Sequence, residues 1–104
     1  MSSTSPRSLV EMDEAVLQRA ADRLRAVAHP LRLRIIELLA DGELCVGELI
    51  DQLDTKQAVI SQQLALLRDK GVVARRRDGS HVYYHLVNPH VIRVLECIRD
   101  HCES

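Results

Sequence analysis

Imidazole and thiol side chains are concentrated near the C-terminal end of the chain, where they could bind a metal ion or undergo thiol chemistry. Imidazole nitrogen and thiolate sulfur suit zinc and softer, thiophilic ions. An exposed thiol of low pKa can instead be oxidised or persulfidated. The candidates are His90, Cys97, His101 and Cys102, with Cys45 as a further candidate.

The spacing of these residues places three of them on one side of a helix. At 100° per residue, His90, Cys97 and His101 fall within about 40° of one another, whereas Cys102 lies nearer the apolar line of the same helix. His90 and His101 are about 16 Å apart along the axis, too far to share one ion within a single helix. In an antiparallel pair of helices, His90 of one copy would approach Cys97 or His101 of the other. The alternative is an ordinary exposed helix face with minor packing cysteines.

A segment in the second half of the chain carries a concentrated positive charge. Residues 56–85 contain six Lys and Arg against two acidic residues, whereas residues 1–55 contain six Arg against ten acidic residues. The net charge of −1 for the whole chain therefore conceals a segment of net charge +4. Such a segment is suited to neutralising DNA phosphates and releasing their counterions.

Two short helical patterns lie in and just before this segment, and the second is suited to the major groove of DNA. We predict helices over about 46–53 and 57–70, the second ending at Gly71, separated by a short polar turn as in a helix-turn-helix. Gln can bond adenine bidentately, and Ser can bond bases or phosphates. A solvated helix face is the alternative. The candidates for DNA contact are Lys56, Gln57, Ser61, Gln62 and Gln63, with Arg68 near the helix end.

The residues after this helix predict a basic two-stranded hairpin. Asp78-Gly79 is typical of a type I′ turn, in which both central residues have positive φ. Strand alternation sends neighbouring side chains to opposite faces, so at most two of Arg75, Arg76 and Arg77 can address one DNA backbone. The wing candidates for DNA contact are Arg75, Arg77, Ser80 and His81.

Helical patterns also lie at both ends of the chain. The first extends over 12–27, and the second begins at Pro30 and ends near Asp41-Gly42. The last begins with Asn88-Pro89, as cap and first helical residue, and ends near Cys102. The predicted fold class is therefore mainly α (α+β): a winged helix-turn-helix with about five helices and a two-stranded β-hairpin wing.

Length and composition bound the class of protein. At 104 residues and 46% hydrophobic, the chain suits one domain, which we place at 11–104 after a disordered tail at 1–10. It has no apolar stretch long enough to span a membrane and no apolar signal core at its start, so a cytoplasmic protein is expected. No grouping of nucleophile, base and orienting residue and no phosphate-binding glycine loop is visible, so we expect neither an enzyme nor an organic cofactor.

Four stretches of the chain share the order and spacing of one family: AVAHPLRLRIIELL (26–39), ELCVGEL (43–49), SQQLALLRDKGVV (61–73) and RRRDGSHVYYHL (75–86). They resemble the ArsR/SmtB-type metal-responsive repressors. The resemblance implies a homodimer that is joined through the terminal helices. It also implies that the dimer binds double-stranded operator DNA, an inverted repeat, and represses transcription until an inducer weakens that binding. One departure is Lys56, where such proteins usually begin the recognition helix with Ser, so Thr55 is expected to cap that helix instead.

The resemblance offers several kinds of inducer site, none of them complete. Arsenic-responsive members carry two cysteines one residue apart, whereas Cys45 stands alone. Zinc-type members use four ligands on the paired last helices, and of these His90 and His101 match. Thiol-persulfide members place one cysteine in the second helix, which has none here. We predict a thiophilic or zinc-like metal or metalloid ion as inducer, with thiol-based redox or persulfide sensing as the alternative. The alternative of another class is a metal-binding or interaction dimer without specific DNA binding.

Overall fold

The computed structural model describes residues 13–103, which form five helices and one three-stranded antiparallel sheet. The predicted mainly helical, winged architecture is confirmed, while the predicted tail at 1–10 lies outside the described residues. No helix within 13–103 is long and apolar enough to cross a membrane. The elements, in chain order, are α1 (Glu14–Val27), α2 (Pro30–Leu39), β1 (Leu44–Cys45), α3 (Val46–Leu53), α4 (Gln57–Asp69), β2 (Val73–Asp78), β3 (His81–Leu86) and α5 (Val91–Glu103).

Short-range hydrogen bonds set the ends of the first two helices. Asp13 Oδ1 accepts from the amide of Val16 at 2.9 Å and so satisfies one of the amides left over at the start of α1. Pro30 begins α2, because proline has no amide with which to continue the preceding helix. His29 stands between the two helices in an extended conformation, and its Nδ1 accepts from the amide of Leu31 at 3.2 Å.

The core lies among α2, α3, α4 and the sheet. Its side chains come from apolar positions that recur every three to four residues in the helices and from one face of β2 and β3. Because the chain has no Phe or Trp, the aromatic member of the core is Tyr84, which is 9% exposed. Among the described residues, the largest fully buried side chains are Ile35, Ile36, Leu49, Ile60, Leu64, Leu67 and Val73.

The sheet has one strand more than the predicted hairpin. β1 pairs antiparallel with β3, which places Leu44 opposite Tyr84 and Cys45 opposite Tyr83. A strand of two residues is too short to show the alternation that identifies strands in a sequence. Because α3 follows β1 directly, this pairing attaches the wing to the start of the helix-turn-helix.

The hairpin turn differs from the predicted type I′ turn. Asp78 pairs with His81, so the two loop residues are Gly79 and Ser80. Gly79 has a φ of 65°, whereas Ser80 does not have a positive φ. A type II′ turn requires positive φ at the first loop position alone and places glycine there. The loop therefore follows the type II′ pattern, and the type I′ prediction is wrong.

Candidate nucleic-acid interface

A tight turn joins the two helices of the helix-turn-helix. α3 is followed by Asp54, which has a φ of 51° and whose amide donates to the carbonyl oxygen of Ile50 at 2.8 Å. Aspartate tolerates this left-handed conformation better than most residues. Lys56 is the N-cap residue of α4, and its side chain makes no capping hydrogen bond. The predicted cap at Thr55 is therefore wrong.

One face of α4 is exposed and carries most of the predicted groove-facing residues. At 100° per residue, the exposed positions of α4 span an arc of about 140°. The arc includes Ala58 and Ala65, whose small side chains leave room for a close approach to another surface. The predicted DNA-contacting residues on this face are Gln57, Ser61, Gln62 and Arg68, with exposed Lys56 at its start.

Gln63 lies on another side of α4. It is turned about 100° from Gln62 and stands near the centre of the arc that faces the core. Its side chain is half-buried, and Oε1 accepts from Nε of Arg32 at 2.7 Å. The helical period could have located it, because half-buried Val59 and buried Leu67 lie about 40° to either side of it on the helical wheel. Its grouping with Gln62 rested on residue type alone.

The three consecutive arginines of the wing are divided between the two faces of the sheet. Arg75 and Arg77 share one face of β2, and Arg76 lies on the other, as strand alternation predicts. Arg75 and Arg77 are exposed. Ser80 lies in the turn and His81 begins β3, and both are exposed at the tip of the wing.

Arg76 is held by a carboxylate from the loop before β1. Its Nε and Nη2 donate to the two carboxylate oxygens of Glu43 at 2.7 Å each, and its guanidinium carbon lies 5.0 Å from the ring centroid of Tyr83. The hydrogen bond from Arg76 lowers the pKa of Glu43, and the same bond raises the pKa of Arg76. A bidentate pair of this geometry fixes the orientation of the guanidinium. No sequence pattern connects Glu43 with Arg76, so this pair could not be predicted.

The predicted metal and thiol residues of the C-terminal region lie on two sides of α5. His90, one residue before the helix, is exposed, as are Cys97 and His101, and the three form one stripe by helical period. Cys102 is turned about 100° from His101. It lines a groove of about 540 Å³ between α2 and α5. Within residues 13–103, no three His, Cys, Asp or Glu side chains are grouped so that they could hold a metal ion.

Cys45 is on a different element from the other two cysteines. It is half-buried, ends β1 and is the N-cap residue of α3. Its amide donates to Glu48 Oε1 at 2.9 Å, and this backbone hydrogen bond lowers the pKa of Glu48. These contacts give Cys45 a structural setting at the start of α3.

Large apolar side chains are exposed on both terminal helices. In α1, Leu17 and Leu24 are 41% and 58% exposed, and in α5, Val94 and Ile98 are 49% and 53% exposed. At 100° per residue, Val94 and Ile98 lie between the stripe that contains His90 and the side of α5 that packs on the core. Exposed apolar groups of this kind are typical of a surface that meets another protein.

The exposed face of α4 beside a basic hairpin defines a winged helix-turn-helix module of the kind that binds DNA. The chain belongs to the arsR family of bacterial regulatory proteins. The family profile "Bacterial regulatory protein, arsR family" matches residues 29–75, which extend from the cap of α2 into β2. The protein is thus a transcriptional regulator of the winged helix-turn-helix type and not an enzyme.

Two relatives and one solved structure agree with this assignment. The chain is 41% identical over 75 residues to the biofilm growth-associated repressor of Agrobacterium fabrum, covering 72% of this chain and 64% of that protein. It is 36% identical over 96 residues to the transcriptional repressor SmtB homolog of Synechocystis, covering 92% of this chain and 71% of that protein. A homodimeric winged helix-turn-helix DNA-binding domain of Mycobacterium bovis, a possible ArsR-family regulator, has a TM-score of 0.76 and 28% identity, covering 99% of this chain and 91% of that one.

Proposed function

We propose that the protein binds operator DNA as a homodimer and represses transcription, with α4 in the major groove and the wing against the adjacent backbone. The observation that carries this proposal is the exposed polar face of α4 together with the wing, where Arg75 and Arg77 are exposed on one face of β2. Both named relatives are repressors, which supports the same role here. A dimer presents two α4 helices, so the operator is an inverted repeat with half-sites one or more helical turns apart. We place the protein in the cytoplasm.

The exposed residues of the interface divide by chemistry into base readers and phosphate binders. Glutamine amides and the serine hydroxyl suit base edges, whereas Lys and Arg neutralise phosphates. Gln63 is left out of both groups because its side chain is half-buried against Arg32. The base readers are Gln57, Ser61 and Gln62; the phosphate binders are Lys56, Arg68, Arg75 and Arg77; Ser80 and His81 contact the backbone from the wing tip.

The homodimer is formed through α1 and α5. Leu24 and Ile98 are more than half exposed in the single chain, and a second copy would remove them from water. The homodimeric state of the Mycobacterium bovis domain, which is similar over nearly the whole chain, supports this arrangement.

We assign the inducer site to the facing α5 helices of the two subunits. Imidazole and thiolate donors of His90, Cys97 and His101 fit zinc and thiophilic ions. One subunit cannot complete the site, because His90 and His101 are about 16 Å apart along the helix. Val94 and Ile98 border the stripe, so a partner that covers them brings its own donors close. An ion bound there would supply a fixed link between the subunits, and the SmtB homolog among the relatives supports an inducer of this kind.

Thiol sensing is the second candidate for the inducer. Cys97 and Cys102 are both exposed, as redox-sensing cysteines must be. They differ by about 7.5 Å of rise and about 140° of rotation on one helix. Because the Cα atoms of a disulfide lie about 4.4–6.8 Å apart, a disulfide between these two residues of one helix is excluded. A disulfide switch would therefore join two subunits.

Fluorescence anisotropy of the reduced protein on DNA from its own upstream region tests the inducer. Zinc, cadmium, arsenite and a persulfide donor are added in turn to the bound complex. If an added ion releases the DNA from the wild-type protein and from Cys45→Ser but not from Cys97→Ser, the result supports the metal site on α5. Release by the persulfide donor alone makes thiol chemistry the signal. Equal affinity for upstream and random duplexes, without salt dependence, supports instead the interaction dimer that lacks specific DNA binding.

A further inference from the structure

A single arginine of α2 connects three helices. Arg32 Nε donates to Oε1 of Gln63 in α4 at 2.7 Å, and its Nη1 donates to the carbonyl oxygen of Ala26 in α1 at 3.1 Å. Arg32 and Gln63 are both half-buried. Hydrogen bonds from a charged donor are stronger than those between neutral groups, and less solvent competes for them here.

The acceptor on α1 is a carbonyl that the helix itself cannot satisfy. Within an α-helix the carbonyl of Ala26 would accept from the amide of residue 30, but Pro30 has no amide hydrogen. Ala26 is only 5% exposed, so an unsatisfied carbonyl there would be costly. Arg32 supplies the missing donor and brings a cation to the C-terminal end of α1, where the helix dipole favours it.

A second set of contacts joins α1 to the far end of α4. Arg23 Nε donates to the carbonyl oxygen of Lys70 at 3.1 Å, and Lys70 Nζ lies 3.0 Å from Asp22 Oδ2. The helix proposed to read DNA is therefore connected at its middle and its end to the helix proposed to form the dimer. In the proposed dimer, these contacts would set the position of α4 relative to the twofold axis.

We propose that Arg32 is a positioning residue that sets the separation of the two α4 helices in the dimer, and so the spacing of half-sites that the protein selects. The inference rests on the proposed DNA-binding function. Lysine cannot replace Arg32, because one ammonium group cannot match the two directions of a planar guanidinium. When the connection through Gln63 is lost, α4 gains freedom relative to α1, and operators of altered spacing are penalised less.

The test uses an operator that the wild-type protein selects from random duplexes. The affinity for this operator is compared with the affinities for duplexes whose half-sites are one base pair closer or farther apart, a change of about 3.4 Å. The wild-type protein is expected to discriminate by about tenfold or more. Arg32→Lys and Gln63→Met should each reduce this affinity ratio to about threefold or less. The double variant should show the same ratio as either single variant, because both changes remove the same Arg32–Gln63 hydrogen bond.

Two further variants separate positioning from a general loss of structure. Gln63→Glu keeps an acceptor for Arg32, so its spacing ratio should match that of the wild-type protein, although its added charge weakens binding to every duplex alike. Arg34→Lys, an exposed change on the same helix, should leave all affinities unchanged. The inference is overturned if Gln63→Met retains the wild-type ratio or if Gln63→Glu behaves like Gln63→Met. A wild-type protein that enriches no duplex would refute the proposed function, and with it the role of Arg32 in spacing.

Discussion

Gln62 and Gln63 are identical side chains in opposite surroundings. Gln62 is on the exposed face of α4, whereas Gln63 is half-buried with its Oε1 bonded to Arg32. A glutamine can read a base edge only where its amide reaches the groove. Replacement of the two residues should therefore have different consequences, the first for base selection and the second for the placement of α4.

Gln62→Ala should lower the preference for the selected operator over random DNA by about thirtyfold or more, since a bidentate base contact contributes roughly 1–3 kcal/mol of discrimination and both subunits of the dimer lose one. Its free energy of unfolding should change little, because the side chain is exposed. Competition anisotropy and urea denaturation measure the two quantities. Gln18→Ala, an exposed change on α1, is the control and should have no effect on selection. Unchanged selectivity in Gln62→Ala would remove this residue from the base readers.

The arginines of the wing should differ in their effect on salt dependence. Arg75→Ala and Arg77→Ala should each weaken binding to all sequences and reduce the slope of log affinity against log salt by about two, because each removes one phosphate contact from each subunit of the dimer. Arg76→Ala should leave that slope unchanged, since Arg76 is on the opposite face and pairs with Glu43. Affinities measured at several salt concentrations test this. An equal loss of slope in all three variants would contradict the assignment of faces.

At the level of elements, α4 ends in a hydrogen-bonded motif that depends on glycine. The amide of Gly71 donates to the carbonyl oxygen of Arg68 at 3.0 Å, and the amide of Val72 donates to the carbonyl oxygen of Leu67 at 2.9 Å. This is the Schellman arrangement, and it requires a left-handed residue after the C-cap. Gly71 has a φ of 76°. The motif turns the chain from α4 into β2 and so sets where the wing begins.

Gly71→Ala should lower the free energy of unfolding by about 1–2 kcal/mol, because an L-residue is strained at this φ. A Cβ there would also meet Arg23 Nη2 at 3.4 Å. Gly47→Ala is the matched control in α3, where the nearest atom to the new Cβ is Cys45 Sγ at 4.0 Å. That change should be neutral or stabilising by up to about 1 kcal/mol. Urea denaturation measures the free energy of unfolding of both variants. If Gly71→Ala were as stable as the wild-type protein, the motif at the end of α4 would not depend on glycine.

The elements differ in how well the sequence predicts them. The helices were predictable because their apolar positions recur over many residues and their ends carry residues such as Pro30 and Gly71. β1 was not, because two residues carry no period, and its partner Tyr83 is almost forty residues away. The Glu43–Arg76 pair depends on that same long-range register. The orientation of Gln63 was predictable from the helical period but was missed by grouping residues by type.

At the level of the whole molecule, the net charge of −1 hides a division of the chain into an acidic first half and a basic segment at residues 56–85. Lys56, Arg68, Arg75 and Arg77 lie on the proposed DNA side, and four of the five large apolar residues exposed within 13–103 lie on the terminal helices. The first arrangement suits a polyanion and the second suits a second copy of the chain. DNA affinity should therefore depend on the dimer, because only a dimer engages both half-sites.

Leu24→Glu and Ile98→Glu should each shift the protein towards the monomer and weaken operator binding by tenfold or more, because a charge would be placed in the proposed apolar interface. Sedimentation equilibrium measures the first effect and anisotropy the second. Val87→Glu is the control: Val87 is 54% exposed but lies between β3 and α5, outside both terminal helices, and this variant should remain dimeric. Dimers of wild-type strength in both interface variants would place the contact elsewhere.

The most direct measurement is the affinity of the wild-type dimer for its selected operator and for a scrambled duplex of equal length, each at low and high salt. We predict binding to the operator at least about a thousandfold tighter at physiological salt. Both affinities should fall as salt rises, because Lys and Arg displace counterions from the phosphates. Equal affinity for the two duplexes, unaffected by salt, would contradict the central claim that α4 and the wing form a sequence-reading DNA interface.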